Sequence, residues 1–575
     1  MQSHIFVALS TYLATPPTHS LAHLNAIDIA VIAIYFGVVI FIGFYLKGKS
    51  NTSEEFFMAG REMTAWIAGL SFVSANLGSL ELMGWAGSAY QYGILATHWY
   101  WIGAIPAMLF LGIIMMPFYY ISKVNSVPGY LHLRYGDGAR ALSAVSFAFM
   151  TVLMSGINMY SMALVMKVVL GWNLNFSIWV SSITVALYVG LGGLRSAIYN
   201  EVLQFLLIWL GALLVPILGL IDAGGWTNLK AQIGTRLGSE YVHLWSTTGH
   251  FSQNPMGIHW TGLVFGLALV ISCGYWTTDF LVVQRVLSAN NLRSARMAPI
   301  IGAAFKMAVP FIVILPGLLA LAVLPYHLVG ETQAVATGQH SYNEVLPLML
   351  VRYCGPGLLG LGVTALIAGF MSGMAGNVSA FSTVWTYDIY GAFLNKKATD
   401  QHYVAMGRWC TFIGVLISVG TAYLVQHAAS IMDYVQGLFS FFIAPLFGTV
   451  ILGMLWKRTT KAGGFWGLLA GTCTAVGLFL WVHFDPSALR YVALSADAKT
   501  LAEDMYRALW SWLVCVIVTV VVSYATKPKP LSELEGLVYG VVPLPVEHDD
   551  HWYQKPIAWA GVIAVLFVIL NIIFW

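Results

Sequence analysis

Ser74, Asn76, Ser79 and Glu81 stand close together in the stretch SANLGSLELMGWAGS (74–88), inside a run otherwise apolar enough to cross a bilayer. An amide donates and accepts, a carboxylate accepts, and together they suit a ligand with several hydroxyls. Lys306 in AAFKMAVPF and Gln436 in DYVQGLFS add a cation and a second amide at membrane depth. Tyr275 and Trp276, in SCGYWTTDFLVVQR (272–285), follow Ser272 and precede Asp279. An aromatic face beside polar groups fits a pyranose, which has an apolar C–H face and a rim of hydroxyls. Ionisable groups inside a membrane are expensive and are functional candidates by default. Glu201 in IYNEVLQF, Asp279, and Asp388 in TYDIY near a cytoplasmic end fall under the same rule.

Each of these has a plainer reading. Small residues at Ser74, Ala75, Gly78 and Ser79 also let helices pack closely, which explains the glycine and not Glu81. Tyr275 and Trp276 could belong to an interfacial aromatic belt, although Tyr275 lies well inside its run. Gly369, Ser372, Gly373, Gly376, Ala380 and Thr383 share one face of LIAGFMSGMAGNVSAFSTVWTYDIY (366–390). Such spacing usually means close packing; the functional version has the Ser372 hydroxyl ligating a cation against an unwound neighbour. Lys167, near the external end of its run, is expected to snorkel.

The elements that must hold these groups follow from composition. Of 575 residues, 59% are hydrophobic and 9% charged, against about 25% charged in soluble domains. The chain therefore reads as one all-α integral membrane domain. A net charge of +3 is too small and dispersed for a nucleic-acid partner. The five cysteines show no disulfide or metal spacing, and the 15 histidines form no catalytic set, so an enzyme is not expected. The first twenty residues lack the basic start of a secretory signal, leaving the first span to direct the chain to the membrane.

Fourteen runs reach the ~20 apolar residues that a crossing needs, beginning near Ile27, Thr64, Trp99, Leu142, Leu174, Ser196, Trp260, Pro299, Gly357, Val404, Asp433, Gly463, Tyr506 and Ile557. Most of the 27 basic residues, among them Lys47, Lys49, Arg134, Arg195, Arg293 and Lys457, fall in odd-numbered connections. The positive-inside rule then places both termini outside the cell, extracellular or periplasmic. Connections at about 223–259, 326–356 and 484–505 become external caps, and 527–552 a cytoplasmic linker. Membrane helices break only where the freed backbone lines a cavity or is buried in protein. Breaks in spans 2 and 7, five spans apart, match an inverted five-plus-five repeat in which broken helices build the site.

Together SEEFFMAGREMTAW (53–66), SANLGSLELMGWAGS, VPGYLHLRYG (127–136), GGLRSAIYNEVLQ (192–204), YWTTDFLVVQR (275–285), STVWTYDIY (382–390) and GMLWKRTTKAGGFWGLLAG (453–471) resemble the sodium/solute symporter family, in its sodium–glucose cotransporter type. The resemblance implies a LeuT-type fold with a ten-helix core at 64–456, its two repeats divided near 222–259. Residues 1–63 precede that core and 457–575 follow it. It implies a hexose-like sugar imported with sodium by alternating access. Asn76, Lys306 and Gln436 match residues that hydrogen-bond sugar hydroxyls; Tyr275, with Trp276 beside it, matches the tyrosine that stacks on the ring and closes the inner gate. Trp85, Trp99 and Met432 match the outer cover, and Ser272 joins the candidate pocket.

Two departures stand out. Where those cotransporters carry a sugar-contacting glutamate, this chain has Tyr100, while Glu81 replaces a glutamine or histidine; the acceptor has moved to the neighbouring helix. The main sodium site maps to Ser74 and Leu77 with Gly369, Ser372 and Gly373, so one of two serine hydroxyls is missing. A second sodium site would need Glu201 and hydroxyls that are here Ala375 and Gly376, and is expected to be absent. The alternatives are a sodium-independent or proton-coupled sugar carrier, with Glu81, Glu201 or Asp279 titrating, and a symporter for another small solute.

Overall fold

Apolar chains of this kind satisfy their backbone groups internally, and helix is the way to do so segment by segment. The computed structural model describes residues 24–47, 52–324, 327–337, 339–428, 430–541 and 551–575. Lys49, the N-terminal tail to residue 23 and residues 542–550 of the expected linker lie outside the described residues. Among the described residues there is no strand, only two isolated bridges, Met63 with Ala289 and Val329 with Ser341.

The helices are α1 (Ala26–Lys47), α2 (Ala65–Asn76), α3 (Ser79–Tyr92), α4 (100–121), α5 (Asp137–Leu170), α6 (174–192) and α7 (Gly193–Asp222). A shorter helix, α8 (Trp226–Leu237), leads to the bent pair α9 (Gly262–Thr278) and α10 (Phe280–Leu287). A second bent pair is α11 (Leu292–Lys306) and α12 (Pro310–Val323). Then follow α13 (Leu358–Leu394), α14 (Asp400–Val425), α15 (Ile431–Leu455), α16 (Lys461–Phe484), α17 (Thr500–Ala525) and α18 (Pro556–Ile573).

Among the described residues, ten helices are long and apolar enough to cross a membrane, or up to 12 if each bent pair is one span. The difference from fourteen has two sources. The first half of the expected second span, α2, is only 12 residues long, and its second half is continuous with α4 in a helical run of 43. That run is about 65 Å at 1.5 Å per residue, twice a bilayer core. It turns at Gly93, whose φ of +64° a side chain would resist. The other is α6, whose apolar stretch Leu174–Ala186 falls below crossing length; Gly193, at φ +60°, ends it and starts α7.

The two helices expected to break do so. In α2, Leu77 turns to ψ 50° and Gly78 to ψ 171°, so the helix stops at Asn76 and α3 restarts at Ser79. In the other, Asp279 adopts φ −70° and ψ 115°, its carboxylate accepts Leu281 N–H at 2.9 Å, and α9 and α10 diverge by 49°. Thr277 and Thr278 hydroxyls bond back to Cys273 and Gly274 carbonyls, loosening the ladder just before the break. Between α11 and α12 the 44° bend falls at Met307–Val309, ahead of Pro310, which has no N–H to continue the helix. This brings Lys306 to the end of a helix rather than its middle. Leu77 is 0% and Asp279 3% exposed, so both breaks face the interior of the bundle.

Candidate substrate site

Asn76, Glu81, Tyr100, Ser272, Tyr275, Trp276, Lys306 and Gln436 wall one cavity of about 60 Å³, beside the α2–α3 break. The gate candidates Trp85, Trp99 and Met432 line it as well, as do Asp279 and Gly373. Asn76, the last residue of α2, is the hub. Its Oδ1 accepts from Lys306 Nζ, and its Nδ2 donates to Glu81 Oε1 at 3.1 Å and to the Tyr275 hydroxyl at 2.8 Å. Tyr100 OH donates to Glu81 Oε2 at 2.6 Å. The carboxylate on α3 and the hydroxyl on α4 thus form one hydrogen-bonded unit. Lys306 Nζ lies 3.9 Å from Glu81 and within about 5 Å of the Tyr100 and Trp276 ring centres.

Three polar groups on the cavity wall are buried with no partner among the described residues: Gln436 Oε1 and the indole N–H groups of Trp85 and Trp99. Buried polar atoms rarely stay unpaired, so these point to a ligand or water. The aromatic cover is continuous: Trp85 meets Trp99 at 4.9 Å and Tyr100 at 5.6 Å, and Met432 Sδ fills the place a Cβ on Gly84 would take. Tyr275 packs against Trp276 at 5.1 Å and against Phe439 at 5.0 Å. The volume holds a few waters and is too small for a molecule the size of a hexose.

The cation candidates meet on the same break. Ser372 Oγ donates to the Ser74 carbonyl at 2.8 Å and lies 3.0 Å from Ser74 Oγ. A Cβ on Gly369 would lie 3.0 Å from the Leu77 carbonyl oxygen, so α13 presses directly on the unwound turn. At Gly373 a Cβ would lie 2.9 Å from Gly78 Cα, so a serine there would strain the contact. The oxygens of Ser74, Leu77 and Ser372 are the donors a hard cation would need, fewer than the ~6 such ions prefer.

The remaining acidic candidates have other partners. Glu201 does not reach the cavity. It is fully buried against Arg285, Nη2 to Oε1 at 2.6 Å, and also accepts from Ser71. Asp388 is likewise tied to Arg140 at 2.7 Å and to Ser126. Lys167, 36% exposed, pairs with buried Glu344 at 3.0 Å, in a turn that packs over the end of α5. The reading from sequence passed over Asn158 on α5 and Phe439 on α15, both on the cavity wall. The signal for Asn158 is an amide within apolar SGINMYS (155–161), fainter than a charge would be.

Among the described residues, ten or more apolar helices enclose a polar cavity at a helix break, the architecture of a multi-pass membrane protein. A model of the sodium:solute symporter family matches residues 56–471, and the chain belongs to that family. Human sodium/glucose cotransporter 4 is 30% identical over 546 residues, covering 90% of this chain and 78% of the relative. Sheep sodium/glucose cotransporter 1 is 28% identical over 534 residues, covering 88% and 79%. A solved sodium-coupled sialic acid symporter, substrate-bound and outward-open, superposes with a TM-score of 0.72 at 19% identity, covering 88% of this chain and 99% of that one. The likeness places the fold among LeuT-like symporters. These relatives are transporters, and so is this chain, not an enzyme.

Proposed function

We propose that the protein imports a hexose-like sugar together with sodium by alternating access. The observation that carries this reading is the cavity's chemistry. Exchangeable hydrogen bonds among Asn76, Glu81, Tyr100, Tyr275 and Lys306, with three unpaired polar groups, face an aromatic wall. Sugar hydroxyls take over the bonds these side chains now make to one another, and Gln436 and Ser272 complete the rim. Trp85, Trp99 and Met432 part for entry, and Tyr275 with Trp276 for release. Sodium is held by Ser74, Leu77 and Ser372, with Gly369 and Gly373 giving α13 its close approach. It stabilises the break against α13, so each ligand raises the affinity for the other by the same factor.

The reading includes fourteen spans with both termini outside. Residues 64–456 form the ten-helix core, divided near 222–259, and 457–575 an appended set of helices. The linker at 527–552 is cytoplasmic. Similarity to sodium/glucose cotransporters supports the sugar.

A second reading, a sugar carrier without sodium, is favoured by Gly373 and by the satisfied Ser372–Ser74 contact. Uptake of labelled hexoses into proteoliposomes under an inward sodium gradient, an inward proton gradient and neither separates the two. Sodium-dependent uptake is expected. Equal uptake in all three sinks the coupling, and no hexose uptake sinks the substrate.

A further inference from the structure

Helix α3 starts without a cap of its own. Gly78 holds the N-cap position and has no side chain to accept a first-turn N–H, the role of serine, aspartate or asparagine elsewhere. The acceptor arrives from another helix. Asn158 Oδ1 on α5 accepts Leu80 N–H at 3.3 Å, and the Asn158 carbonyl accepts the Ser79 hydroxyl at 3.0 Å. Two glycines make room for it: a Cβ on Gly78 would lie 2.6 Å from Oδ1, and one on Gly373 3.1 Å from the same atom. Asn158 is 2% exposed and borders the cavity. Among the described residues its amide nitrogen reaches only the Met154 carbonyl, at 3.4 Å. One side chain therefore sits where α3, α5 and α13 meet, beside the turn that carries the candidate cation oxygens and the substrate amide.

We infer that Asn158 is a positioning residue that caps α3 from across the bundle and so sets the geometry of the break for both ligands. The inference rests on the sodium-coupled reading above. The break presents Ser74 and Leu77 oxygens toward Ser372, and the Asn76 and Glu81 side chains toward the cavity. Loosening the cap disturbs both sets at once. A residue touching sugar alone would move one binding constant, and a residue needed only for folding would move neither.

The test uses the full chain in proteoliposomes. The sodium concentration for half-maximal uptake and the KM for labelled hexose are measured for the unmodified protein, Asn158→Ala and Asn158→Asp. Asn158→Ser is carried in parallel as a milder loss, should the alanine variant not assemble. Asn158→Ala (or the serine variant in its place) is expected to raise both constants by about fivefold, the scale of a lost cap. Asn158→Asp keeps an acceptor at a helix N-terminus and is expected to bring both back to within about twofold of the unmodified protein. A rise in sugar KM alone, or unchanged constants with less assembled transporter, overturns the inference while leaving sodium coupling intact. Sodium-indifferent uptake by the unmodified protein overturns the coupled reading and this inference with it.

Discussion

Glu81 and Glu201 are both carboxylates inside the bundle, and their surroundings differ in kind. Glu201 faces a guanidinium in a dry site: its side chain and that of Arg285 are each 0% exposed. Glu81 is 14% exposed, accepts from a neutral amide and a phenol, and has its ammonium at 3.9 Å. A desolvated ion pair resists exchange, because removing one partner strands the other charge. Neutral donors can be replaced by ligand hydroxyls with little net change in hydrogen bonding. Membrane depth alone thus does not mark a working carboxylate; the identity of its partners does. Arg285 lies on α10 beyond the second break and Glu201 on α7, so their pair ties that half-helix to the scaffold.

The hardest way to break this contrast is Arg285→Ala. It leaves Glu201 buried with Ser71 alone, and a loss of about 3–5 kcal/mol is expected. The readout is thermal unfolding of the detergent-solubilised protein. Glu201→Leu combined with Arg285→Met is expected to recover most of the loss, since a neutral pair strands no charge. Should Arg285→Ala unfold at the unmodified temperature, Glu201 is not a fixed strut.

The Glu81 side predicts the opposite pattern, with assembly preserved and transport changed. Glu81→Gln removes a charged acceptor worth about 1.5–3 kcal/mol, so the KM for sugar is expected to rise roughly 10–100-fold with the unfolding temperature little altered. Tyr100→Phe removes one donor, about 0.5–1.5 kcal/mol, and is expected to raise KM by roughly 2–10-fold. An unchanged KM in both variants would move the substrate away from this cavity. A larger effect from Tyr100→Phe than from Glu81→Gln would make the phenol the main contact.

Much of this was legible in the sequence because the costs are large. A carboxylate and an asparagine within SANLGSLELMGWAGS could not face lipid, so a break and a cavity were the physical options, and the turn at Leu77–Gly78 follows. Lys306 was legible for the same reason, and Tyr275 through the polar groups beside its ring. The partner of each charge was not, because pairing depends on which faces of distant helices meet. Nothing in IYNEVLQF announces Arg285, 84 positions on, and nothing near Lys167 announces Glu344. The span count was hard to read at Gly93, where one helical run serves two expected spans. Asn158 escaped because an amide in an apolar helix carries less penalty than a charge, and its role appears only against Gly78 and Gly373.

The turn that carries Glu344 offers the mildest test, and it extends the contrast to a third carboxylate. Glu344, outside the spans, accepts from Lys167 at 3.0 Å and His340 at 2.5 Å. Next to it Glu331 accepts from Tyr160 and from Asn343, whose Oδ1 in turn accepts Ile431 N–H at the start of α15, one residue before Met432. Burial pushes the Glu344 carboxyl upward, but the His340 hydrogen bond and the Lys167 charge outweigh it and hold the group below its ordinary 4.5. A carboxyl depressed in the folded state stabilises above its unfolded value and loses that contribution as pH falls through the folded one. The native protein should therefore lose a small increment, under about 1 kcal/mol given its half-exposed partners, on acidification below about pH 4.5. Unfolding temperatures from pH 7 to 3 should show this fall in the native protein and a flatter course in Glu344→Gln. Parallel curves would mean that Glu344, unlike Glu201, is not held chiefly by charge.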